Sequence, residues 1–401
     1  MTDTLIEYEA RFCAQNYAPL PVVLTRGEGC YLWNIDGRRY LDMMSAYSAV
    51  SHGHCHPRLV KALTDQAQQL AIVSRAFYTE KLAPFIERAC ELTAMDRALP
   101  MNSGAEAVET ALKAARKWAY KVKGVATDRA EIIACEGNFH GRTMGVLALS
   151  TEDQYRDGFG PFMPGVSTIP FGDASALERA ITPNTAAFLV EPIQGEAGIR
   201  VPPDNYLRRC AEICRKQRVL FIADEIQSGL GRTGKLLACD HEGVKPDGLI
   251  LGKALGGGLL PVSMFLARRD VMDVFHPGDH GSTFGGNPLA SAVGLAALNT
   301  LVDEQLIERS AELGSYFLAE LGKIQSPLIR EVRGRGLWIG VDFDPTKIPA
   351  RRIAEQLLAR GILSKETHST VIRLAPPLVI TREQIDWALE EFRTVVAEAA
   401  N

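Results

Sequence analysis

Long apolar runs are missing from this sequence: no stretch reaches the ~20 uninterrupted apolar residues of a membrane-crossing helix. An excess of one charge is missing as well. Lysine and arginine number 44 against 48 aspartates and glutamates, a net charge of −4. That balance disfavours a nucleic-acid-binding role, which needs a concentrated basic face, and gives no reason to expect an anionic membrane as partner. No Cys-x-x-Cys pair occurs; the nearest spacing is Cys210 and Cys214. The eight cysteines therefore read as mostly buried thiols of a reducing compartment. Residues Met1 to Ala18 carry Asp3, Glu7 and Glu9 and lack an apolar signal core. They also lack the Arg-rich, acid-poor character of a transit peptide, so a cytoplasmic location is expected. Internal repeats, low-complexity tracts and long linkers are absent too.

What is present is an apolar fraction of 46% with 23% charged residues, the balance of a folded protein rather than a disordered one. At 401 residues the chain exceeds one ordinary core, so two or three structural units are expected. Its middle alternates short apolar runs with amphipathic stretches. Ile132–Cys135, Ala187–Val190, Val219–Ala223, Leu249–Leu251 and Met264–Ala267 read as buried strands. Between them, Ala105–Val122 and Asn205–Arg218 read as helices. This alternation implies a mainly parallel α/β sheet built from crossover units. Near the start, Cys30–Trp33 and Arg39–Asp42 form a strand pair around an Asn34-Ile35-Asp36-Gly37 turn. The last hundred or so residues change character: a helical stretch over Ala290–Leu321, strands at Trp338–Phe343 and Val371–Leu374, and helices at Ile353–Leu358 and Arg382–Ala399. That is a smaller α+β unit.

Lys253 follows the strand at Leu249–Leu251 and precedes three glycines. A lysine at the carboxyl end of a buried parallel strand points into the crevice where such sheets bind ligands. Desolvation there lowers an amine's pKa and frees it as a Schiff-base nucleophile. Alone, the bland reading of a surface loop lysine would win. Asp224 changes the balance. It ends the strongest strand, one crossover upstream, where a carboxylate can pair with a pyridine nitrogen, keep it protonated and so sustain an electron sink. The alternatives for Asp224 are an acidic strand terminus or a metal ligand lacking further ligands. Asn102-Ser103-Gly104-Ala105-Glu106 precedes the first helix. Ser103 and Glu106 fit a capping box, and the same free N–H groups can hold a phosphate. After the strand at Ile132, Phe139 could stack on a ring and Arg142 could grip a carboxylate.

Two motifs invite other readings. Gly229-Leu230-Gly231-Arg232-Thr233-Gly234-Lys235 fits nucleotide-loop patterns, but Leu236 stands where the Walker motif needs Ser or Thr. Five residues also separate the loop from its strand. It is the sole basis for a nucleotide-binding dehydrogenase. His52-Gly53-His54-Cys55-His56-Pro57 suggests zinc, yet one short turn cannot wrap a metal tetrahedrally, and the proline suggests a helix start.

Taken together, Asn102-Ser103-Gly104, Phe139-His140-Gly141-Arg142, Glu191 to Glu196, Asp224 to Gln227, Leu251 to Gly258 and Gly281 to Pro288 resemble, in order, the class III pyridoxal-phosphate aminotransferases. The likeness runs from about Asn16 to near the C-terminus. Within the class the chain is similar to the ornithine aminotransferases, through Asn16 to Val22, Ser45 to Val50, Cys239 to Asp247 and Arg373 to Leu378.

The resemblance implies fold type I: a large domain with a mainly parallel seven-stranded sheet (46–290), and a small α+β domain from an N-terminal segment (1–45) and the C-terminal part (291–401). It implies a homodimer with active sites at the subunit interface, and no nucleic-acid or membrane partner. It implies pyridoxal 5′-phosphate as cofactor, with Lys253 as the covalent anchor and proton carrier and Asp224 on the pyridinium. Gln227 would bond the ring hydroxyl and Phe139 would stack on the ring, beside His140. Ser103, Gly104 and Ala105 would surround the phosphate, together with Ser282 and Thr283 reaching across from the neighbouring subunit. The implied reaction moves the δ-amino group of L-ornithine to a 2-oxo acid such as 2-oxoglutarate. Tyr17, Tyr47 and Arg142 would hold the distal end of ornithine. Arg373 would take the α-carboxylate of glutamate, with Glu196 neutralising it when ornithine is bound. Acetylornithine or 4-aminobutyrate specificity is the neighbouring alternative, and a non-catalytic cofactor-binding protein the alternative of another kind.

Overall fold

The apolar runs become adjacent strands of one sheet in the computed structural model, which describes residues 2–400. Its seven strands lie in the order Arg97–Met101, Ser263–Ala267, Gly248–Leu251, Leu220–Asp224, Thr185–Val190, Glu131–Cys135 and Val166–Ile169. All neighbours pair in parallel except Ser263–Ala267, which is antiparallel to both of its partners. Every residue of the central strands Thr185–Val190, Leu220–Asp224 and Gly248–Leu251 is buried. Helices cover both faces, so these strands carry uniform apolar runs instead of alternation.

Register decides where the chemistry emerges. Val190 lies opposite Ala223, Asp224 opposite Ile250, and Leu251 opposite Met264, whose neighbour Ser263 faces Met101. The segments after Met101, Cys135, Val190, Asp224 and Leu251 therefore leave the sheet along one edge. The motifs at 102–106, 139–142, 191–196, 224–227 and 253 all sit in those exits. Parallel strands place their carboxyl ends together, and that edge is where such sheets bind ligands.

Two four-stranded sheets flank this layer. One joins Leu24–Glu28, Tyr31–Asn34 and Arg39–Asp42 to Ile362–Leu363. Leu41 and Ile362 pair directly, so the two ends of the chain share a sheet. The other is Ile329–Gly334, Ile339–Phe343, Val371–Leu374 and Lys365–Thr367. The helix expected over Ala290–Leu321 is two helices, Pro288–Asp303 and Leu306–Gly322, divided where Gln305 turns left-handed at φ 52°. The polar Asp303-Glu304-Gln305 step interrupts the apolar spacing there. The helix expected at Ala105–Val122 is α-helical over Gly104–Trp118 and widens into a π-turn at Ala119–Lys123.

The histidines of the 52–56 turn take separate partners. His52 Nε2 lies 3.0 Å from the Ala297 carbonyl, His54 Nε2 2.7 Å from Asp42 and His56 Nε2 3.2 Å from Glu304. Pro57 opens a helix running to Gln69.

Candidate active site

Lys253 stands one residue beyond Gly252 with a left-handed backbone, φ 44°. A non-glycine residue in that region costs about 1–2 kcal/mol and persists only where its surroundings impose it. Its side chain lines a cavity of about 210 Å3 together with Gly104, Ala105, Phe139, His140, Glu191, Asp224 and Gln227. Burial pulls the ammonium below its ordinary pKa; the carboxylates of Glu196 and Asp224 oppose that pull and Arg373 adds to it.

Asp224 is buried at the end of its strand. Its Oδ1 accepts from the Ile226 N–H at 3.1 Å, and its Oδ2 lies 2.7 Å from His140 Nδ1. Burial works against the His140 imidazolium, but the Asp224 hydrogen bond and charge outweigh it, and the His140 pKa is raised. Behind this pair lies Glu191, to which the sequence alone assigned no role. Its carboxylate accepts the Phe139 N–H at 2.9 Å, and burial pushes its carboxyl up to about 7.

The sign of that shift makes a prediction. Between 4.5 and about 7 the native Glu191 keeps a proton that the unfolded chain has released, so stability falls as pH rises through this window. Glu191→Gln should remove a slope worth roughly 3 kcal/mol across it. Urea unfolding at pH 5 and pH 8 measures this; an unaltered slope in the variant would assign it to other groups.

At the opposite end of the cavity, Ser103 caps Gly104–Trp118. Its hydroxyl accepts the Glu106 N–H at 3.3 Å, while the Glu106 carboxylate accepts the Ser103 N–H at 2.7 Å. The cap leaves the Gly104 and Ala105 N–H groups at the cavity wall, in the first turn where no intrahelical acceptor exists. Ser282 lies outside the cavity, accepting from Asn102 Nδ2 at 2.8 Å. Thr283 is exposed and does not line the cavity of its own chain.

Two arginines frame the entrance differently. Arg373, on Val371–Leu374, is buried and donates to Glu196 Oε1 at 3.0 Å and to the Gly195 carbonyl at 3.3 Å. Burial alone would raise the Glu196 carboxyl, but Arg373 holds it below the ordinary value. The Tyr47 ring lies 5.1 Å from the Arg373 guanidinium. Arg142, in contrast, is exposed and has no carboxylate partner among the described residues. Its guanidinium rests 4.0 Å from the Tyr155 ring and 5.6 Å from the Phe139 ring. Tyr155 is a second residue that sequence reasoning missed, since no motif frames it. Tyr17 is 75% exposed and does not line the cavity of the single chain.

Tyr47 is carried by an unusual turn. Ser45, Ala46, Tyr47 and Ser48 have φ of 41°, 46°, 59° and 74°, one left-handed turn built without glycine. The Asp42 carboxylate caps it by accepting the Met44 and Ser45 N–H groups at 2.7 and 2.9 Å.

These groups fit pyridoxal phosphate. A buried carboxylate, a desolvated amine and a helix N-terminus surround one cavity. Gln227 Nε2 is buried at the cavity with no well-formed hydrogen bond of its own, close to the Glu196 carboxylate. Gly195 preserves its position, since a Cβ there would come within 2.1 Å of Gln227 Oε1.

Comparison with known proteins agrees with this geometry. The family model for aminotransferase class III matches residues 12–396. A protein of Geobacillus sp. (strain WCH70) named ornithine aminotransferase is 57% identical over 396 residues, covering 99% of each chain. The solved ornithine aminotransferase of Toxoplasma gondii, described with partial occupancy of PLP at its active site, superposes with a TM-score of 0.98 at 46% identity. It covers 100% of this chain and 95% of that one. The acetylornithine aminotransferase of Elizabethkingia anophelis superposes at 0.90 with 48% identity, covering 99% of both chains. The shared fold, the lysine–aspartate cavity and the match along nearly the whole length make one conclusion: the chain belongs to the class III aminotransferases, which are pyridoxal-phosphate-dependent enzymes.

Proposed function

We propose that the protein is an ornithine aminotransferase. It moves the δ-amino group of L-ornithine to 2-oxoglutarate or another 2-oxo acid, in two half-reactions. The products are L-glutamate and glutamate-5-semialdehyde, which cyclises to pyrroline-5-carboxylate. The observation that carries this reading is the pair of unlike arginines: Arg142 free of carboxylates, Arg373 masked by Glu196 at 3.0 Å. An enzyme that must react the distal amine of a diamino acid needs one open carboxylate receptor far from the chemistry and a closed one near it.

Bound pyridoxal phosphate supplies the electron sink that makes a proton on the amine-bearing carbon labile. Asp224 would keep the ring nitrogen protonated, and His140 fixes the Asp224 carboxylate. Gln227 and Phe139, both lining the cavity, would meet the ring hydroxyl and the ring face. The N–H groups of Gly104 and Ala105, with Ser103, surround the phosphate. Ser282 and Thr283 reach the phosphate of a neighbouring subunit. Lys253, its pKa lowered by desolvation, would hold the cofactor and move the proton at the reacting carbon. Arg142 takes the carboxylate of ornithine, while Tyr17 and Tyr47 shape the pocket for its α-amine. Arg373 takes the α-carboxylate of glutamate once Glu196 withdraws.

Glu196→Ala should raise the glutamate half-reaction relative to the ornithine one by about tenfold, since an unmasked guanidinium attracts α-carboxylates of both substrates. Single-turnover bleaching of the cofactor absorbance measures the ratio, and an unchanged ratio removes the switch. The substrate reading is tested by adding L-ornithine or N-acetylornithine without a 2-oxo acid. Rapid bleaching by ornithine with trapped semialdehyde supports it; preference for N-acetylornithine transfers the enzyme to that specificity.

The reading includes a homodimer. Phe12, Tyr17, Phe77, Tyr78 and Phe284 are more than half exposed in the single chain, apolar area that a second copy would cover. It also includes a division into a large domain over 46–290 and a small one from 1–45 and 291–401, supported by the pairing of Leu41 with Ile362. A cytoplasmic setting suits the eight free cysteines. Among the described residues no helix is long and apolar enough to cross a membrane.

A further inference from the structure

The glycine-rich segment 229–235 has no place in the chemistry above, yet it holds a fully buried arginine. Its glycines answer to packing. A Cβ on Gly234 would meet the Ala311 backbone at 2.8 Å, and one on Gly231 would meet Leu301 at 3.1 Å. The loop is wedged beneath the helices Pro288–Asp303 and Leu306–Gly322, and Arg232 points inward from it.

Arg232 has no carboxylate within ion-pair distance among the described residues. Burial draws its pKa down to about 9, still above neutrality, so the guanidinium stays charged. Burying a charge without a partner costs several kcal/mol. What the fork gains instead is reach. Nη1 donates to the carbonyls of Leu337 at 2.9 Å and Pro376 at 2.6 Å. Nη2 donates to the hydroxyls of Ser45 at 3.1 Å and Ser51 at 2.9 Å. The Ser45 hydroxyl donates in turn to the Ala375 carbonyl at 2.6 Å, and the Ser51 hydroxyl to the Ser48 carbonyl at 2.9 Å. One planar group thus ties both ends of the left-handed turn carrying Tyr47 to the chain leaving the strand of Arg373.

We propose that Arg232 is a positioning residue for substrate discrimination, locking the 45–48 turn so that the Tyr47 ring stays against the Arg373 guanidinium. The inference rests on the ornithine reading of the site. Glu196 masks one edge of Arg373 and Tyr47 covers it from another side. When the turn relaxes, Arg373 opens to the α-carboxylate of ornithine and captures the wrong end.

The test follows bleaching of the cofactor absorbance in single turnovers of the holoenzyme with L-ornithine and with L-glutamate. Arg232→Lys keeps the charge and loses the planar fork. The ratio of ornithine to glutamate specificity should fall about tenfold, and amide exchange across residues 44–50 should speed by a similar factor. In a Tyr47→Ala background the same substitution should shift the ratio less than about twofold, because the coupled ring is gone. Equal losses in both half-reactions, or a full effect without Tyr47, overturn the proposal. Should Arg232→Lys not fold, Ser51→Ala removes a single acceptor and should shift the ratio about threefold in the same direction; an unchanged ratio overturns the proposal equally. Wild-type enzyme inert towards ornithine would overturn the substrate reading instead, and the ratio is then read with the amine donor it accepts.

Discussion

Lys253→Ala should lower turnover of ornithine with 2-oxoglutarate by about 10^4-fold or more, the range for losing a positioned acid–base group, with loss of covalent anchoring added. Borohydride treatment of the variant should leave no cofactor on the chain, which mass spectrometry reads directly. The size of the effect follows from the site. Lys253 is the lysine lining the cavity, held by a strained left-handed backbone beside Asp224. Burial lowers its pKa while Glu196 and Asp224 limit the fall. A lowered pKa eases release of the ammonium proton, which suits a proton carrier. Added amines should restore part of the rate in the alanine variant and none of the covalent anchoring. Retained trapping on another lysine would move the anchor elsewhere.

The large sheet was legible because its strands are buried on both faces. Uniform apolar runs such as Leu220–Asp224 and Gly248–Leu251 have few competing readings. The strands that escaped notice are at edges. Arg97–Met101 is partly exposed and carries Pro100, and Val166–Ile169 is half exposed. Ile329–Gly334 alternates charges with apolar residues and buries little. Where burial is one-sided or incomplete, apolar runs disappear and only pairing partners, distant in sequence, define the strand.

For the site, position along a strand was enough to single out Lys253 and Asp224, because register brings strand ends together. Partners fixed by folding were not accessible that way. Glu191 directly follows the strand Thr185–Val190, but the partner it meets there, the Phe139 N–H, has no local signature. Tyr155 reaches Arg142 from a short helix with no motif. The Ser45–Ser48 turn hid for another reason: left-handed turns are normally announced by glycine, and here hydrogen bonds accepted by Asp42 and donated by Arg232 and Ser51 impose the conformation instead. The segment 229–235 shows the opposite case, glycines in a nucleotide-loop pattern that Leu236 already argued against. Its glycines answer close helix packing, not a phosphate. Tyr17 and Thr283 do not line the cavity of the single chain, and its geometry gives no support to the roles expected of them.

Arg142→Ala should reduce the specificity constant for ornithine by about 10^2-fold and that for glutamate by less than about threefold. Truncating one partner of a desolvated charge pair costs 2–5 kcal/mol, which spans roughly 30-fold to several thousandfold. The lower part of that range applies because Arg142 is exposed in the free chain and its guanidinium keeps some hydration. The asymmetry comes from geometry. Arg142 lies over the Tyr155 and Phe139 rings, which orient the guanidinium without neutralising it, and among the described residues it forms no ion pair, whereas Arg373 is paired with Glu196. A ring under a guanidinium leaves its donor edge open for a carboxylate. Arg142→Lys should recover less than half of the lost binding energy, since a point charge cannot form the two parallel bonds. Steady-state kinetics with each substrate varied separates the outcomes. Equal losses for ornithine and glutamate would place Arg142 in a general role near the cofactor and leave the distal carboxylate without its receptor. A selective loss keeps the two arginines in distinct jobs, one open to the far end of ornithine and the other closed until glutamate arrives.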